Sequence, residues 1–146
     1  MSNLRLTIEL IPHSSWQSNL RSILKPKMWE EIRKKVYRKN SARCSICQRT
    51  GKLQAHEVWD FNNKTKVQKL VDIIPLCFQC HMVKHIGFAQ VAEGRNMHER
   101  LIKHFMEVNK CERVDYQKHL AAEVKKFEDR SRYDWQLELS KLKDFE

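Results

Sequence analysis

Two Cys-x-x-Cys pairs constrain this chain more than any other feature of its sequence. Cys44 and Cys47 form the first pair, Cys77 and Cys80 form the second, and residues 48–76 lie between them. Each pair can offer two thiolates to one ion, and four thiolates complete the tetrahedral shell of a structural zinc site. A redox-active dithiol needs only one such pair and would leave the other unexplained. The spacing therefore predicts a structural Zn²⁺ ion held by these four cysteines.

Histidines that a four-cysteine shell does not need lie close to both pairs. His56 ends an apolar-alternating segment, His81 follows Cys80 directly, and His85 lies four residues further on. His81 and His85 share one face if residues 78–90 form the helix that we predict after the second pair. Plain surface histidines, or a strand-end histidine bonded to backbone, are the alternatives. We expect His56 and His81 to be ligands of a second, open metal site, with His85 as a further ligand or a phosphate contact.

The composition favours a polyanionic partner. The chain has 146 residues, a formal net charge of +10 and a pI near 9.5, which suits nucleic acid or an anionic membrane surface. We see neither a signal-peptide pattern near the start nor an apolar run long enough to span a bilayer, so we expect a soluble, cytoplasmic protein that does not bind membranes. Five cysteines in a reducing compartment suit metal binding better than disulfides, and Cys111 is expected to be a free thiol.

The order of patterns along the chain predicts an α+β fold in three parts. We expect an N-terminal strand and a basic helix in 1–42, a zinc-bound ββα core in 43–90, and a helical extension ending in a strand in 91–146, all packed as one domain. Residues 4–10 alternate with period two, as do residues 135–139, and both patterns are typical of half-buried strands. Because a lone strand leaves its backbone unpaired, we expect these two terminal strands to pair with each other.

A basic helix is predicted to lead into the first cysteine pair. Pro26 suits the first helical position, and Trp29, Ile32 and Val36 then follow a helical period, while Trp16 is expected in the core. From residue 21 to residue 43 there are nine Lys/Arg against two Glu. Such a face is either a solvated surface or a surface that contacts phosphates, and we favour phosphate contact because its charge has one sign. The expected nucleic-acid contacts are Arg33, Lys34, Lys35, Arg38, Lys39 and, from the central stretch, Lys84.

The central stretch resembles the HNH endonuclease family, the ββα-metal nucleases. The segments LQAHEV, DIIPLC and CFQCHMVKH occupy the places of the family's strand-end pair, second strand and closing Cys-x-x-Cys-His motif. The match covers roughly residues 43–86. It implies a zinc-clamped hairpin and helix that binds a second divalent cation, namely Mg²⁺, Mn²⁺, Ni²⁺ or Zn²⁺, and hydrolyses phosphodiester bonds, with double-stranded DNA as the expected substrate.

The resemblance also implies roles for individual residues. His56 and His81 take the places of metal ligands. Glu57 stands where the family usually has its general-base histidine, and Asp72 stands where it usually has asparagine. Glu57 is then either a weaker base than histidine or a direct ligand. His85 corresponds to the histidine of the further Lys-His that often follows the motif.

Strand geometry sets a condition on this assignment. Consecutive strand residues point to opposite faces, so His56 and Glu57 can serve one site only if the strand ends or bulges between them. If the strand is regular there, we expect Glu57 to hold a backbone amide or a lysine instead. The departures at Glu57 and Asp72 keep open a second class of function, a non-catalytic zinc-stabilised module that binds nucleic acid or a protein.

Overall fold

A computed structural model describes residues 3–146, with side chains described throughout that range except at residues 87–93. The fold is of the α+β class, as the sequence predicts. The elements in chain order are α1 (Leu20–Ile23), α2 (Pro26–Arg38), β1 (Leu53–Asn62), β2 (Val67–Cys77), α3 (Phe78–Lys84), α4 (Ile86–Asn109), α5 (Arg113–Arg130) and β3 (Gln136–Glu138), with short 3-10 turns at His13–Ser15, Lys39–Ala42 and Ser140–Phe145. Helix α4 is interrupted at Gly94, whose φ of +81° is left-handed.

A long hairpin forms the centre of the fold. Strands β1 and β2 pair antiparallel from Leu53↔Cys77 to Asn62↔Val67, and the register shifts once, between Val58 and Trp59. The connecting turn is closed by the Asn62 side chain, whose Oδ1 accepts from the next backbone amides. Strand β1 continues past Val58 through Trp59 and Phe61 to Asn62.

Two apolar clusters lie on the hairpin, and β2 contributes to both. One cluster includes Leu76 together with residues of the N-terminal segment, α3, α4 and α5. The other includes Leu70 and Ile73 together with residues of α1, α2 and the last turn. Ile73 and the following Ile74 belong to different clusters, as expected from alternation along a strand. The hairpin therefore has helices packed on both of its faces.

Helix α2 confirms the prediction made from its period. Pro26 occupies its first turn, and Trp29, Ile32 and Val36 are all buried on the hairpin side. The prediction for Trp16 is wrong. Its side chain is 57% exposed, and its indole Nε1 donates to the carbonyl of Ile11 at 2.9 Å. Because the polar end of the ring finds a local partner at the surface, Trp16 does not need the core.

The predicted pairing of the two terminal strands is also wrong. Strand β3 pairs in parallel with the start of β2, Val67 facing Gln136, and the three strands lie in the order β1-β2-β3. Leu6 and Ile8 are fully buried, as the alternation predicts, but residues 3–12 form no strand. Side chains take the place of a neighbouring strand: Asn109 Oδ1 accepts from the amide of Leu6, and His119 Nε2 accepts from that of Ile8.

The long helices after the core have well-defined ends. Helix α5 begins with a capping box in which Glu112 and Asp115 each accept from the other's backbone amide, so Asp115 lies in the first turn, close to the predicted start. Helix α4 ends at Lys110, which has left-handed backbone angles. Within the described residues, we find no helix with the length and apolar character that crossing a bilayer requires.

Candidate metal centres

The four cysteines come together at one end of the hairpin. Their sulfur atoms all lie within 4.8 Å of one another, and none of the four is in a disulfide. Cys44 and Cys47 lie on a tight turn before β1, in which Gln48 donates its amide to the carbonyl of Cys44 and adopts a φ of +67°. Cys77 ends β2, and Cys80 lies in the first turn of α3. The group can bind a metal such as zinc.

The electrostatics of the four sulfurs favour a bound cation. Hydrogen bonds from the thiols of Cys77 and Cys80 lower the pKa of Cys44. The pKa of Cys77 is raised to about 11, chiefly by its hydrogen bond to Cys44, and that of Cys80 is raised by its bonds to Cys44 and Cys77. The thiolate of Cys44 therefore forms more readily than those of Cys77 and Cys80. A dication removes this conflict, because it offsets the repulsion among four closely spaced thiolates.

A buried histidine outside the motif contacts this group. His104 in α4 is 3% exposed, and its Nε2 lies 3.2 Å from the sulfur of Cys80. An imidazole N–H in this position can donate to the thiolate and orient it. His104 is not among the site residues that the sequence predicts. The available signal is its helical period: it lies one turn from Leu101 and next to Phe105, on the buried face of α4.

Of the histidine and glutamate residues that the sequence places near the cysteine pairs, three lie together in a second group. His56 on β1, His81 on α3 and His85 at the end of α3 each offer a ring nitrogen within 4.8 Å of the other two. The ring centroids of His56 lie 5.3 Å from those of both His81 and His85, which are 5.0 Å from each other. The structure thus brings together the three histidines that the sequence singles out.

Hydrogen bonds leave one nitrogen free on two of these rings. The Nε2 atom of His56 lies 2.9 Å from Oε1 of Glu9, and the Nδ1 atom of His81 lies 2.6 Å from Oε1 of Gln54. Each oxygen accepts a hydrogen bond from the nearer ring nitrogen, so the lone pairs remain on Nδ1 of His56 and Nε2 of His81. Second-shell bonds of this kind fix the tautomer of metal-binding histidines.

Two of the imidazoles are uncharged at neutral pH. Burial, followed by the charge of His56, lowers the pKa of His81 to about 4 and that of His85 to about 3. Neutral imidazole is the form that binds metals. The donor set of three nitrogens therefore fits a divalent transition-metal ion and leaves positions open for water or substrate.

Glu57 does not join the histidines. Strand β1 is regular between His56 and Glu57, since its bulge lies after Val58. The Glu57 carboxylate is outside the group of described residues whose ligand atoms approach within 4.8 Å, and its Oε1 accepts from the amide of Leu20 at 3.2 Å. Burial raises the pKa of Glu57, while the Leu20 amide opposes that rise. Glu57 thus holds a backbone amide, as strand alternation predicts for a regular strand.

Asp72 also has partners away from the histidines. Its Oδ1 accepts from Lys39 Nζ at 3.1 Å and from the amide of Ile73 at 2.8 Å. These contacts tie β2 to the end of α2. The expected role of Asp72 as an orienting group for the histidine site gains no contact to support it.

The expectation that Lys84 contacts nucleic acid is wrong. Its side chain is buried, at 5% exposure, and its ammonium group pairs with Oε2 of Glu9 and donates to the hydroxyl of Thr7. From the sequence alone, a lysine on a short helix is expected to be exposed. Here the N-terminal segment covers it, so it is not available to a phosphate.

The basic residues of α2 differ in how free they are. Lys34, Lys35 and Arg38 are all exposed. Lys34 forms an ion pair with Glu30 at 3.5 Å, and Lys35 donates its ammonium to the carbonyl of Phe145 at 2.6 Å. Arg33 is half-buried and has a buried Nε with no partner among the described residues. Within this predicted set and among the described contacts, the cation most available to a phosphate is therefore Arg38, followed by Lys34, whose pair with Glu30 is exposed.

Comparison of the chain with protein-family models, with curated proteins and with solved structures gives no significant match.

Proposed function

We propose that this protein is a metal-dependent endonuclease of the HNH type that hydrolyses phosphodiester bonds in double-stranded DNA. On this proposal the four cysteines hold a structural Zn²⁺ ion, and His56, His81 and His85 hold a second divalent cation. The single observation that carries the proposal is the convergence of three imidazoles beside the four-cysteine group, on a hairpin followed directly by a helix.

The histidine group has the properties that such a site needs. A divalent cation, when bound, acts as a Lewis acid toward a phosphoryl oxygen and lowers the pKa of coordinated water. The chain's own contribution is to present imidazoles from two elements, β1 and α3, at a fixed separation. Hydrogen bonds to Gln54 and Glu9 keep the rings of His81 and His56 from rotating.

The position of Glu57 limits its role in this proposal. A general base must reach the attacking water within hydrogen-bond distance or through one water molecule. Glu57 instead accepts from Leu20, at the start of α1. We therefore assign Glu57 a structural role, the attachment of α1 to β1, rather than the removal of a proton.

A basic surface on α4 supports nucleic acid as the partner. It consists of Arg49, Arg100, Lys103 and Lys110 around two cavities of about 220 and 250 Å³ that share Arg49, His104 and Glu107 as lining residues. Gln79 holds the Arg49 guanidinium at 2.6 Å. Arg100, Lys103 and Lys110 form no ion pair with any described residue. Cations arranged in this way can neutralise phosphates, which is the sequence-independent part of DNA affinity.

The activity is tested with supercoiled plasmid and Mg²⁺, Mn²⁺, Ni²⁺ or Zn²⁺ added in turn. We expect nicking by the wild type and loss of at least about 100-fold in rate for His56→Ala and His81→Ala, because each removes a ligand. Glu57→Gln is the matched control. Its amide oxygen can still accept from Leu20, so we expect a rate within about threefold of wild type; a loss as large as that of His81→Ala would restore Glu57 as the base.

The salt dependence of DNA binding tests the partner separately from the chemistry. Removing two phosphate contacts with the double change Arg100→Gln and Lys103→Gln is expected to lower the slope of log K against log salt by about 2. The control Lys125→Gln changes an exposed lysine of α5 that lines neither cavity. An unchanged slope in the double variant would remove the α4 surface from the proposal.

A second candidate function is favoured by the orientation of Glu57. Without a base in the usual place, the chain could be a non-catalytic zinc-stabilised module that binds nucleic acid or a protein. The plasmid assay separates the two. Salt-sensitive retention of DNA without nicking by any of the four metals identifies the binding module, whereas metal-dependent nicking abolished by His81→Ala identifies the nuclease.

A further inference from the structure

The N-terminal segment passes directly alongside the histidine group. Leu6 and Ile8 bury their side chains in the cluster shared with α3 and α4, and the amide of Glu9 donates to the carbonyl of Lys84 at 2.9 Å. Asn109 and His119 bind the backbone of the same segment. Helices that are distant in sequence therefore fix the position of residue 9 from two sides.

The Glu9 carboxylate connects this segment to a metal-site histidine. Its Oε1 lies 2.9 Å from Nε2 of His56, while its Oε2 pairs with the buried ammonium of Lys84 and lies 3.2 Å from the hydroxyl of Thr7. Its Oε2 accepts from the Lys84 ammonium, which has only donors, and from the Thr7 hydroxyl. The group that faces His56 therefore has the contacts of a carboxylate, which can only accept a hydrogen bond.

An acceptor at this position selects one tautomer of His56. Since Oε1 can only accept, Nε2 must carry the proton, and the lone pair of a neutral ring is then on Nδ1. Two groups from different elements face the Glu9 carboxylate directly, His56 on β1 and Lys84 on α3. Lys84 is the partner that keeps the carboxylate in place.

We propose that Glu9 is a positioning residue that holds His56 as the Nε2–H tautomer, so that Nδ1 is available to a divalent transition-metal ion shared with His81 and His85. This inference rests on the proposed function, since it assigns a cation to the histidine group. It makes the N-terminal segment a necessary part of the site, although the segment lies outside the stretch that resembles a nuclease. Carboxylate–histidine pairs of this kind raise metal affinity by about 10- to 100-fold.

The substitution Glu9→Gln tests this role with little change of shape. A glutamine amide can donate to Nε2, which permits the Nδ1–H tautomer and removes the lone pair from the ligand position. We expect nitrogen-15 NMR of the zinc-loaded protein, with no second metal added, to report Nε2–H at His56 in the wild type and a shift toward Nδ1–H in the variant. The control is Glu107→Gln, which changes an exposed carboxylate elsewhere and should leave the tautomer unchanged.

Metal affinity is measured on the same proteins. Co²⁺ is titrated into zinc-loaded protein, and binding is measured by calorimetry and by the visible absorption of the nitrogen-bound ion. We expect the affinity for Co²⁺ to be about 10- to 100-fold weaker in Glu9→Gln. Because Glu9→Gln leaves Lys84 buried without its anion, the double variant Glu9→Gln with Lys84→Met is included to restore stability. The double variant should keep the weakened affinity, which a purely structural role of Glu9 would not predict.

The two possible failures differ. Wild-type protein that binds Co²⁺ at the histidines, with affinity and tautomer unaffected by Glu9→Gln, would falsify the positioning role and leave the proposed function intact. Wild-type protein in which no Co²⁺ binds to the histidines, while the cysteines remain loaded with zinc, would overturn the proposed function together with this role.

Discussion

The two candidate metal centres share helix α3, which carries Cys80 and His81, but they are built in different ways. The four cysteines depend mainly on local structure, since each pair is close in sequence and is supported by amides of its own turn, such as that of Cys80 toward Cys77. The histidines depend on distant residues, because Glu9 reaches His56 from 47 positions away and Gln54 reaches His81 from 27. A site of the first kind forms with its ion, whereas a site of the second kind needs the surrounding fold to be complete.

The largest expected effect concerns the cysteine group. Cys77→Ser removes one of four ligands, and structural zinc contributes an apparent binding free energy of about 10–16 kcal/mol in small zinc domains, comparable to the whole stability of a domain. We expect loss of bound zinc, measured by metal analysis, and loss of cooperative thermal unfolding, measured by circular dichroism. The control Cys111→Ser changes the cysteine outside the group and should leave both unchanged. Cooperative unfolding of a zinc-free Cys77→Ser protein would show that the fold does not need the ion.

An intermediate effect is expected at the support of the histidine group. Lys84→Met leaves Glu9 without its buried cation, and removal of one partner from a buried pair typically costs 3–5 kcal/mol. Since the Glu9 side chain is 33% exposed, we expect a smaller loss, about 2 kcal/mol in the free energy of unfolding by urea. The control Lys39→Met breaks the half-exposed pair with Asp72 and should lose at most about 1 kcal/mol. Equal losses in the two variants would mean that burial of Lys84 does not increase the stability lost when its pair with Glu9 is broken.

A smaller effect on stability is expected at a ligand position itself. His81→Ala removes a partly buried ring and its bond to Gln54, so we expect a loss of about 1 kcal/mol in the free energy of unfolding. If the proposed function holds, the same variant should also lose metal-dependent nicking. His13→Ala, at an exposed histidine outside both groups, is the control for both measurements. If His81→Ala unfolds the protein as Cys77→Ser does, the contrast between the two centres is wrong.

The smallest effect is expected at Glu57 and depends on pH. Burial raises the pKa of Glu57 above its ordinary value of 4.5, so the folded state binds more protons than the unfolded state above that pH. The contribution of Glu57 to stability is therefore fully present below pH 4.5 and declines as the pH rises toward the raised pKa. Glu57→Gln lacks this decline. We expect its stability relative to wild type, measured by urea unfolding, to improve from pH 4.5 to pH 7.5; a constant difference would contradict burial of the carboxylate.

The contrast between the centres also explains what the sequence can predict. Cysteine spacing is a local signal, and it predicts a group that the structure brings together. The period of Trp29, Ile32 and Val36 is likewise local and confirmed by burial. The alternation of Leu6 and Ile8 predicts which side chains are buried, but not that Asn109 and His119, rather than a strand, bind their backbone.

Apart from Trp16, whose partner Ile11 is close in sequence, the errors concern residues whose partners are remote. Lys84 and Glu9 are both charged, and nothing in their immediate neighbours indicates that a segment 75 positions away covers the lysine. For Glu57, strand alternation was a usable signal, since a regular strand turns it away from His56. His104 had a weaker signal, a histidine on the apolar face of a helix. Local patterns therefore predict the ligands better than the residues that orient them.

The adjacency of Cys80 and His81 on α3 has a consequence for how the protein matures. The helix has seven residues, about two turns, and gives consecutive side chains to different centres. A rotation or slip of α3 that improved one set of ligands would misalign the other. A chain in which the cysteine group is disordered is therefore also expected to lack a defined histidine group, because the two turns of α3 carry residues of both.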